Sequence, residues 1–286
     1  MLVITLNPSI DRTLFVKSRR PGVETRVLES RAAPGGKGVN VARALAGFGV
    51  KARSLTLKDI LPQVLVRVNT TVIDGRGYST RFLEPGPRLS AGEWKKVERY
   101  ILGRLKGIKV LAICGSLPPG APEGLYARLI AAARRKGILT ALDASGVPLL
   151  KGVKAEPWCV KPNRDEAEAL LGIKLNSTRA VRKVLQMLSE YGMTRVLLSL
   201  DKDGLAGFDG KEMFLARGPV RSGLTVGCGD ASLAGFLAGH AKGFSFEDCL
   251  KQAAAAGAAN VGVTTAGVFT RAAVDTARKK IKMERL

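Results

Sequence analysis

Short apolar, β-branched runs alternate with helix-length segments through the middle of this chain, and that rhythm limits the fold more than any other feature. Val110–Cys114, Leu139–Asp143 and residues 158–161 and 196–200 read as buried strands, and an alanine-rich helix over 125–136 lies between the first two. Strand, helix, strand in succession predicts an α/β protein with a mostly parallel sheet covered on both faces. The start of the chain, Met-Leu-Val-Ile-Thr-Leu, reads as one more buried strand. Two regions break the rhythm. Residues 64–82 hold two strand-like runs around Asp74-Gly75, and residues 205–214 hold two around Asp209-Gly210. Asp-Gly between such runs is a hairpin signal. The first hairpin, with strand-like segments at 13–16 and 25–29, predicts a small sheet standing off the main one. Beyond Leu215 the pattern is mostly helical.

Two glycine-rich helix starts carry the chemistry. In Thr225-Val226-Gly227-Cys228-Gly229-Asp230, two glycines flank one residue and an aspartate follows, ahead of the apolar helical run Leu233, Ala234, Phe236, Leu237 and Ala238. Backbone N–H groups at the positive end of a helix form an anion hole. A carboxylate beside a bound phosphate suits phosphoryl transfer to an alcohol. A tight turn in which Asp230 caps the helix is the plainer alternative. The second start, Pro34-Gly35-Gly36-Lys37-Gly38-Val39-Asn40, precedes a helix running to about Phe48. It is not a Walker A loop: Gly38 follows the lysine where Ser or Thr is needed, and Arg31 stands where the first glycine belongs. In an open parallel sheet, ligands gather at the C-terminal strand ends. Asp11, Gly115, Asp143 and Asn163 each follow a strand-like run, so fold logic lines them along one edge.

Composition narrows the classes. A chain of 286 residues with 46% hydrophobic content suffices for one large α/β domain or two small ones. It has no apolar run of the roughly 18 residues that a membrane span requires. Cys114, Cys159, Cys228 and Cys249 are widely spaced, and the single histidine, His240, falls in an apolar helix as a solvated or packed side chain. Zinc and Ser-His-Asp chemistry are therefore not expected, and a reducing cytoplasm is. The formal net charge is +22, with 46 Lys plus Arg against 24 Asp plus Glu. Such a field steers phosphorylated anions inward, and a nucleic-acid binder looks the same. Because the basic residues are spread along the chain and only 5% of residues are aromatic, no specific nucleic-acid partner is expected. The run from Arg278 to Lys282 reads as a solvated last helix turn.

Seven ordered segments together resemble the ribokinase-like (PfkB) sugar kinases, in the branch holding 1-phosphofructokinase, tagatose-6-phosphate kinase and the minor 6-phosphofructokinase. They are Thr-Leu-Asn-Pro-Ser-Ile-Asp at 5–11, Gly-Gly-Lys-Gly-Val-Asn-Val-Ala at 35–42, Gly-Ser-Leu-Pro-Pro-Gly at 115–120, Asp-Ala-Ser-Gly at 143–146, Lys-Pro-Asn-Arg-Asp-Glu at 161–166, Leu-Ser-Leu at 198–200 and the Thr225–Asp230 stretch. The resemblance implies a single ribokinase-like domain over 1–286, a three-layer sandwich with a mostly parallel central sheet and a small β-sheet lid, its strands within about 12–30 and 64–84. In many relatives that lid is the dimer interface, so a homodimer is expected.

The same resemblance implies an ATP- and Mg2+-dependent kinase acting on a sugar phosphate, with fructose 1-phosphate the first choice and tagatose 6-phosphate or fructose 6-phosphate next. A sugar-phosphate or polyanion binder that has lost catalysis is the alternative from another class. Asp230 would be the base, with the N–H groups of Gly227, Cys228 and Gly229 holding the transferred phosphoryl charge. Asp11, Gly35, Gly36 and Asn40 would grip sugar hydroxyls, and Lys37 and Arg81 would reach phosphate. Lys161, Asn163, Glu166, Ser199, Gly204 and Thr225 would border the nucleotide, with Glu166 near Mg2+ through water. Asn163 with Glu166 also reads as a helix-capping pair. Three residues depart from the family pattern: Cys228 for alanine, Asp201 for a glycine, and Leu224 for an aspartate common in the wider family.

One region does not fit. Residues 52–57 read as a strand and the next strand begins near Val64, yet a crossover between parallel strands takes a dozen residues or more. The six residues 58–63 cannot supply one. Residues missing from this stretch, with a spatial break between Arg53 and Asn69, are the favoured expectation. A continuous link would instead make the two strands antiparallel or place them in different sheets.

Overall fold

The computed structural model describes residues 1–20, 22–219 and 222–286. The chain opens with β1 (Leu2–Thr5), β2 (Ser9–Val16), β3 (Val27–Gly35) and α1 (Lys37–Gly47), then β4 (Arg53–Thr56), the single-turn α2 (Leu57–Ile60), β5 (Arg67–Asp74) and β6 (Ser79–Phe82). The middle alternates: α3 (Ala91–Gly103), β7 (Val110–Cys114), α4 (Leu125–Arg134), β8 (Leu139–Asp143), α5 (Gly146–Val153), β9 (Cys159–Val160), α6 (Arg164–Leu171), α7 (Thr178–Glu190) and β10 (Arg195–Ser199). The hairpin β11 (Leu205–Phe208) and β12 (Met213–Arg217) follows, then α8 (Cys228–Ala241), α9 (Phe246–Ala259), α10 (Arg271–Lys280) and β13 (Lys282–Arg285).

These strands make a nine-stranded sheet in the order β13-β12-β11-β10-β9-β8-β7-β1-β4 and a four-stranded sheet in the order β3-β2-β5-β6. From β4 to β10 neighbouring strands run parallel, and from β10 to β13 they run antiparallel. The two-residue period of a strand divides the core into two layers. Leu2, Ile4, Leu111 and Ile113 point to the layer that also holds α3, α4 and α7, while Val3, Val110 and Ala112 point to the layer of α1, α8 and α9. In α7, Val181, Val184, Leu185 and Leu188 form a buried stripe at helical spacing. Each such aliphatic side chain contributes about 2 kcal/mol by leaving water.

β7 and β8 fall at the expected bounds, while β9 is shorter than its run, β2 and β3 are longer, and β5 begins at Arg67 rather than near Val64. Both Asp-Gly hairpins form, and His240 packs on Trp158 with ring centroids 4.6 Å apart. Two expectations need correction. The last helix stops at Lys280, Ile281 is buried, and Lys282 begins β13, which pairs with β12, so the C-terminal run is not simply a helix turn. Nor is there a break between Arg53 and Asn69. Thr56 and Asp59 form a capping box on α2, and the N–H groups of Leu61 and Val64 bond the carbonyls of Leu57 and Leu61. β4 pairs with β1 at the edge of the large sheet, while β5 pairs with β2 in the small one. Different sheets need no crossover helix, and Leu57, Ile60, Leu61 and Val64 bury themselves in the core alongside Trp94. No helix among the described residues is long and apolar enough to cross a membrane.

Candidate active site

A cavity of about 620 Å³ lies where the parallel strands end, beneath the small sheet. Every site residue expected from sequence lines it except Gly35. Gly35 is buried at the end of β3, and a Cβ there would fall 2.2 Å from the Asp11 carboxyl group. A glycine there leaves room for Asp11.

The floor is the start of α8. This helix is buried along most of its length, with Gly235 packed so closely on α9 that a Cβ would lie 2.9 Å from Ala256 Cβ. Its N-cap, Gly227, has φ +77°, and among the described residues no side chain bonds its first-turn amides, which is how a helix end is left open to an anion. A Cβ on Gly229 would meet Lys161 Nζ at 3.2 Å, so the lysine ammonium lies against that turn. The expected triad of amide donors is altered: the Cys228 N–H donates to the Thr225 carbonyl at 3.1 Å.

Asp230 sits buried in the first turn of α8. Asn40 Nδ2 donates to its Oδ2 at 2.8 Å, so this amide faces the carboxylate and not only the cavity. Burial, then the neighbouring Asp143 carboxylate, pushes the Asp230 pKa up to about 6, against the opposing pull of Lys37, Asn40 and Lys161. Asp143, at the end of β8, is fully buried between two ammonium groups, Lys37 at 2.7 Å and Lys161 at 3.0 Å. Burial alone would raise its pKa, and Lys161 and Lys37 overcome that and hold it low. For Lys37, burial pulls down, but Asp143, Glu166 and Asp230 outweigh it and keep the ammonium charged. Asn163 and Glu166 form a full capping box on α6, at 2.7 and 2.9 Å, while Glu166 Oε1 faces Lys37 at 3.6 Å. The pair is therefore both helix cap and cavity wall.

At the far end Ser199, Gly204 and Thr225 border a crevice with Leu205, Ala216, Val226, Val261 and Ile281. Gly204 has φ +109°, and a Cβ there would clash with the Ala216 carbonyl at 2.3 Å. Asp201 has φ +54°, the left-handed region that glycine takes freely and aspartate tolerates, which accounts for an aspartate at a glycine position.

At the small-sheet end, Asp11 Oδ1 accepts from Ser9 Oγ at 2.7 Å and Asn69 Nδ2 at 3.1 Å. Arg81 is exposed at the rim. Sequence reading assigned no role to Arg67, Asn69 and Asn7 here, and it placed Asp143 on the ligand edge without giving it one. Arg67 donates to the carbonyls of Glu84 and Asn7 at 2.8 and 3.3 Å, and it feels the charge of Arg81 nearby. Asn7 Nδ2 donates to Pro85 O and Ser116 Oγ. The available signal was alternation: Arg67 and Asn69 share one face of β5, with Asn69 directly opposite Asp11 in β2. An apolar crevice, a cationic middle with a buried carboxylate, and a polar end with arginines can hold a nucleotide, a phosphate chain and a polar acceptor in line.

Residues 67–272 match the model of the pfkB family carbohydrate kinases. The chain belongs to this family. It is 31% identical to the ATP-dependent 6-phosphofructokinase isozyme 2 of Escherichia coli over 280 residues, 90% of each chain. It is 28% identical to the 1-phosphofructokinase of Haemophilus influenzae, covering 99% of this chain and 97% of the relative. That alignment runs over 305 positions, more than this chain has residues, so the relative carries residues with no counterpart here. The fold superimposes on E. coli phosphofructokinase-2 in complex with substrates and products with a TM-score of 0.89, at 29% identity over 98% of both chains. A tetrameric inhibited form of the same E. coli protein superimposes at 0.87. The chain is thus a carbohydrate kinase with a ribokinase-like fold, and a phosphofructokinase-type sugar-phosphate kinase by its relatives.

Proposed function

We propose that this protein transfers the γ-phosphoryl group of ATP to a hydroxyl of fructose 1-phosphate, giving fructose 1,6-bisphosphate and ADP, with fructose 6-phosphate and tagatose 6-phosphate the next acceptors. The observation that carries the reading is Asp230, buried at an open helix N-terminus with its pKa pushed up to about 6, between a cationic pair of lysines and the polar end of the cavity. Such a carboxylate is deprotonated at neutral pH yet basic enough to take the acceptor's hydroxyl proton as the oxygen attacks phosphorus. The amides at the start of α8, with Lys37 and Lys161, offset the charge on the transferred group. Asp11, Asn7 and Asn69 orient the sugar, and Arg67 and Arg81 meet its phosphate. The apolar crevice beside Thr225 and Gly204 takes the nucleotide, with Ser199 at its edge.

Among the described residues no group of three or more carboxylate, histidine or cysteine ligands could cage a metal. That suits Mg2+, which keeps much of its water and binds through phosphate oxygens and one or two carboxylates. Glu166, with Asn163 at its side, is the group that would hold it, through water. When bound, Mg2+ neutralises phosphate charge.

The small sheet acts as a lid over the acceptor and as the surface joining two copies. Its register puts Asp11, Asn69 and Arg81 on the cavity face and Ile10, Leu14, Val68, Val72 and Phe82 on the other. Ile10 and Phe82 are 44% and 59% exposed, an apolar face of the kind that a second copy covers. Four free thiols fit a reducing cytoplasm. A coupled assay of ADP release across fructose 1-phosphate, fructose 6-phosphate, tagatose 6-phosphate, fructose and ribose tests the reading. Phosphorylated acceptors are expected to win by a wide margin, and no turnover with any of them would overturn it.

A further inference from the structure

Asn40 has two ways to face Asp230, and something must choose between them. Its carboxamide donates to Asp230 Oδ2 at 2.8 Å through Nδ2. Its other end, Oδ1, accepts from Arg43 NH1 at 3.1 Å. Flipping the amide would set a carbonyl oxygen against the carboxylate and an NH2 group against the guanidinium, two repulsive contacts in place of two attractive ones. Arg43 is itself pinned. NH1 also donates to the Ala266 carbonyl at 2.6 Å, and NH2 donates to the Pro34 carbonyl at 2.6 Å. Those carbonyls belong to the strand that ends at Gly35 and to the segment on which Gly227 packs, since a Cβ on Gly227 would fall 2.4 Å from Ala266 Cβ. One planar fork thus ties together the small sheet, the wall of the anion turn and the amide that touches the base. A lysine's single ammonium could not hold these three acceptors in a fixed plane.

We infer that Arg43 is a positioning residue for phosphoryl transfer, acting through Asn40 to hold the Asp230 carboxylate in its reactive orientation. The inference rests on Asp230 being the base. It also means that Asn40, expected from sequence to grip sugar hydroxyls, has its Nδ2 committed to the carboxylate. The other charges that bear on Asp230 are Asp143 on β8, Lys37 on α1 and Lys161 after β9, while burial keeps the nearby Cys114 thiol on β7 neutral; Asp11 on β2 is the carboxylate whose charge bears on Arg43. Arg43→Met leaves the first set in place and removes only the fork.

The test is a double-mutant cycle with steady-state kinetics and pH profiles on the full-length enzyme. Arg43→Met is expected to lower kcat about ten- to a hundredfold, with KM for sugar phosphate and for ATP within about threefold. The acid limb of kcat/KM should move up by roughly half a unit to one unit, because Asp230 loses an oriented donor that favours its charged form. Placed on Asn40→Ala, the same change should cost almost nothing more. Wild-type kcat in Arg43→Met, an unmoved acid limb, or a loss that reappears in full on Asn40→Ala overturns the inference. Should Arg43→Met fail to fold, Arg43→Lys carries the same readouts: a smaller loss is expected, and the same three results overturn the inference. Asp230→Asn, run beside them, separates the two ideas. An active Asp230→Asn removes the base and the positioning role together, whereas an inactive one beside a normal Arg43→Met removes the positioning role alone.

Discussion

At the α8 end of the cavity, charged groups are matched: Asp230 receives Asn40, and Asp143 is held between Lys37 and Lys161. At the small-sheet end they stand open. Asn7 Oδ1, Asn69 Oδ1 and Arg67 Nε are buried without a hydrogen-bond partner among the described residues, and Arg81 is exposed at the rim; Asp143 Oδ2 also lacks a well-aligned hydrogen bond, but the Lys161 ammonium lies 3.0 Å from it. A buried polar atom left unpaired costs on the order of 1–3 kcal/mol, and a ligand that satisfies it recovers that cost. The matched end is organised before substrate arrives. The open end keeps buried polar atoms that a bound substrate could satisfy. Changes at the first should therefore fall on kcat, and changes at the second on KM.

The largest expected effect is Asp230→Asn, with kcat lower by at least about a hundredfold and KM little changed. A loss confined to KM would erase the distinction between the two ends. The same variant has a second signature. Because folding raises the Asp230 pKa above the ordinary carboxylate value, the folded state binds more protons between about pH 4 and 6 and loses stability as pH rises through about 6. Removing the charge should raise Tm by a few degrees at pH 8, with the gain vanishing below pH 4. Calorimetry of both proteins across that range checks the sign.

Next come the arginines. Arg67→Ala and Arg81→Ala should each raise KM for the sugar phosphate roughly tenfold while leaving KM for ATP alone. Arg67 should show the larger effect, because its guanidinium is held in place by the carbonyls of Glu84 and Asn7. A fall in kcat at constant KM for either would put the phosphate somewhere else. The pH profile is a gentler probe. With Asp230 as the base, kcat/KM should rise through about pH 6 and level off, and a flat profile from pH 5 to 8 would contradict it. The proposed joining of two copies through the outer face of the small sheet predicts that Phe82→Asp lowers the mass seen in sedimentation equilibrium, a result that unchanged mass would exclude. The smallest effect belongs to Cys228. Burial raises its thiol pKa and its N–H is already engaged, so Cys228→Ala should change kcat less than about threefold and alkylation at pH 7 should be slow.

Much of this molecule is decided by local rules that a sequence displays. The continuous apolar run of β7 leaves no polar face, so the strand is buried on both sides and is flanked by helices. Gly227, Gly36 and Gly204 stand where φ is +77°, +105° and +109°, conformations that nearly any other residue would strain, so glycine-rich turns mark the site without a fold. Asn163 and Glu166 announce a helix start three residues apart. Tertiary structure alone decided the rest, because it depends on what distant segments bring to one place. Whether β5 joined the large sheet or the small one turned on its pairing with β2, not on its own residues. Asp143 is one acid among many until two lysines from α1 and from the end of β9 close on it. Lys282 to Arg285 carries helix-compatible side chains yet becomes a strand, because the edge of β12 offers it hydrogen bonds. Asn40 reads from sequence as a cavity residue, and only the fold also sets it between Arg43, one turn along its own helix, and a carboxylate 190 residues away in sequence. Local sequence fixes torsion angles and burial faces; the partner of a buried charge is a long-range contact, and only packing selects it.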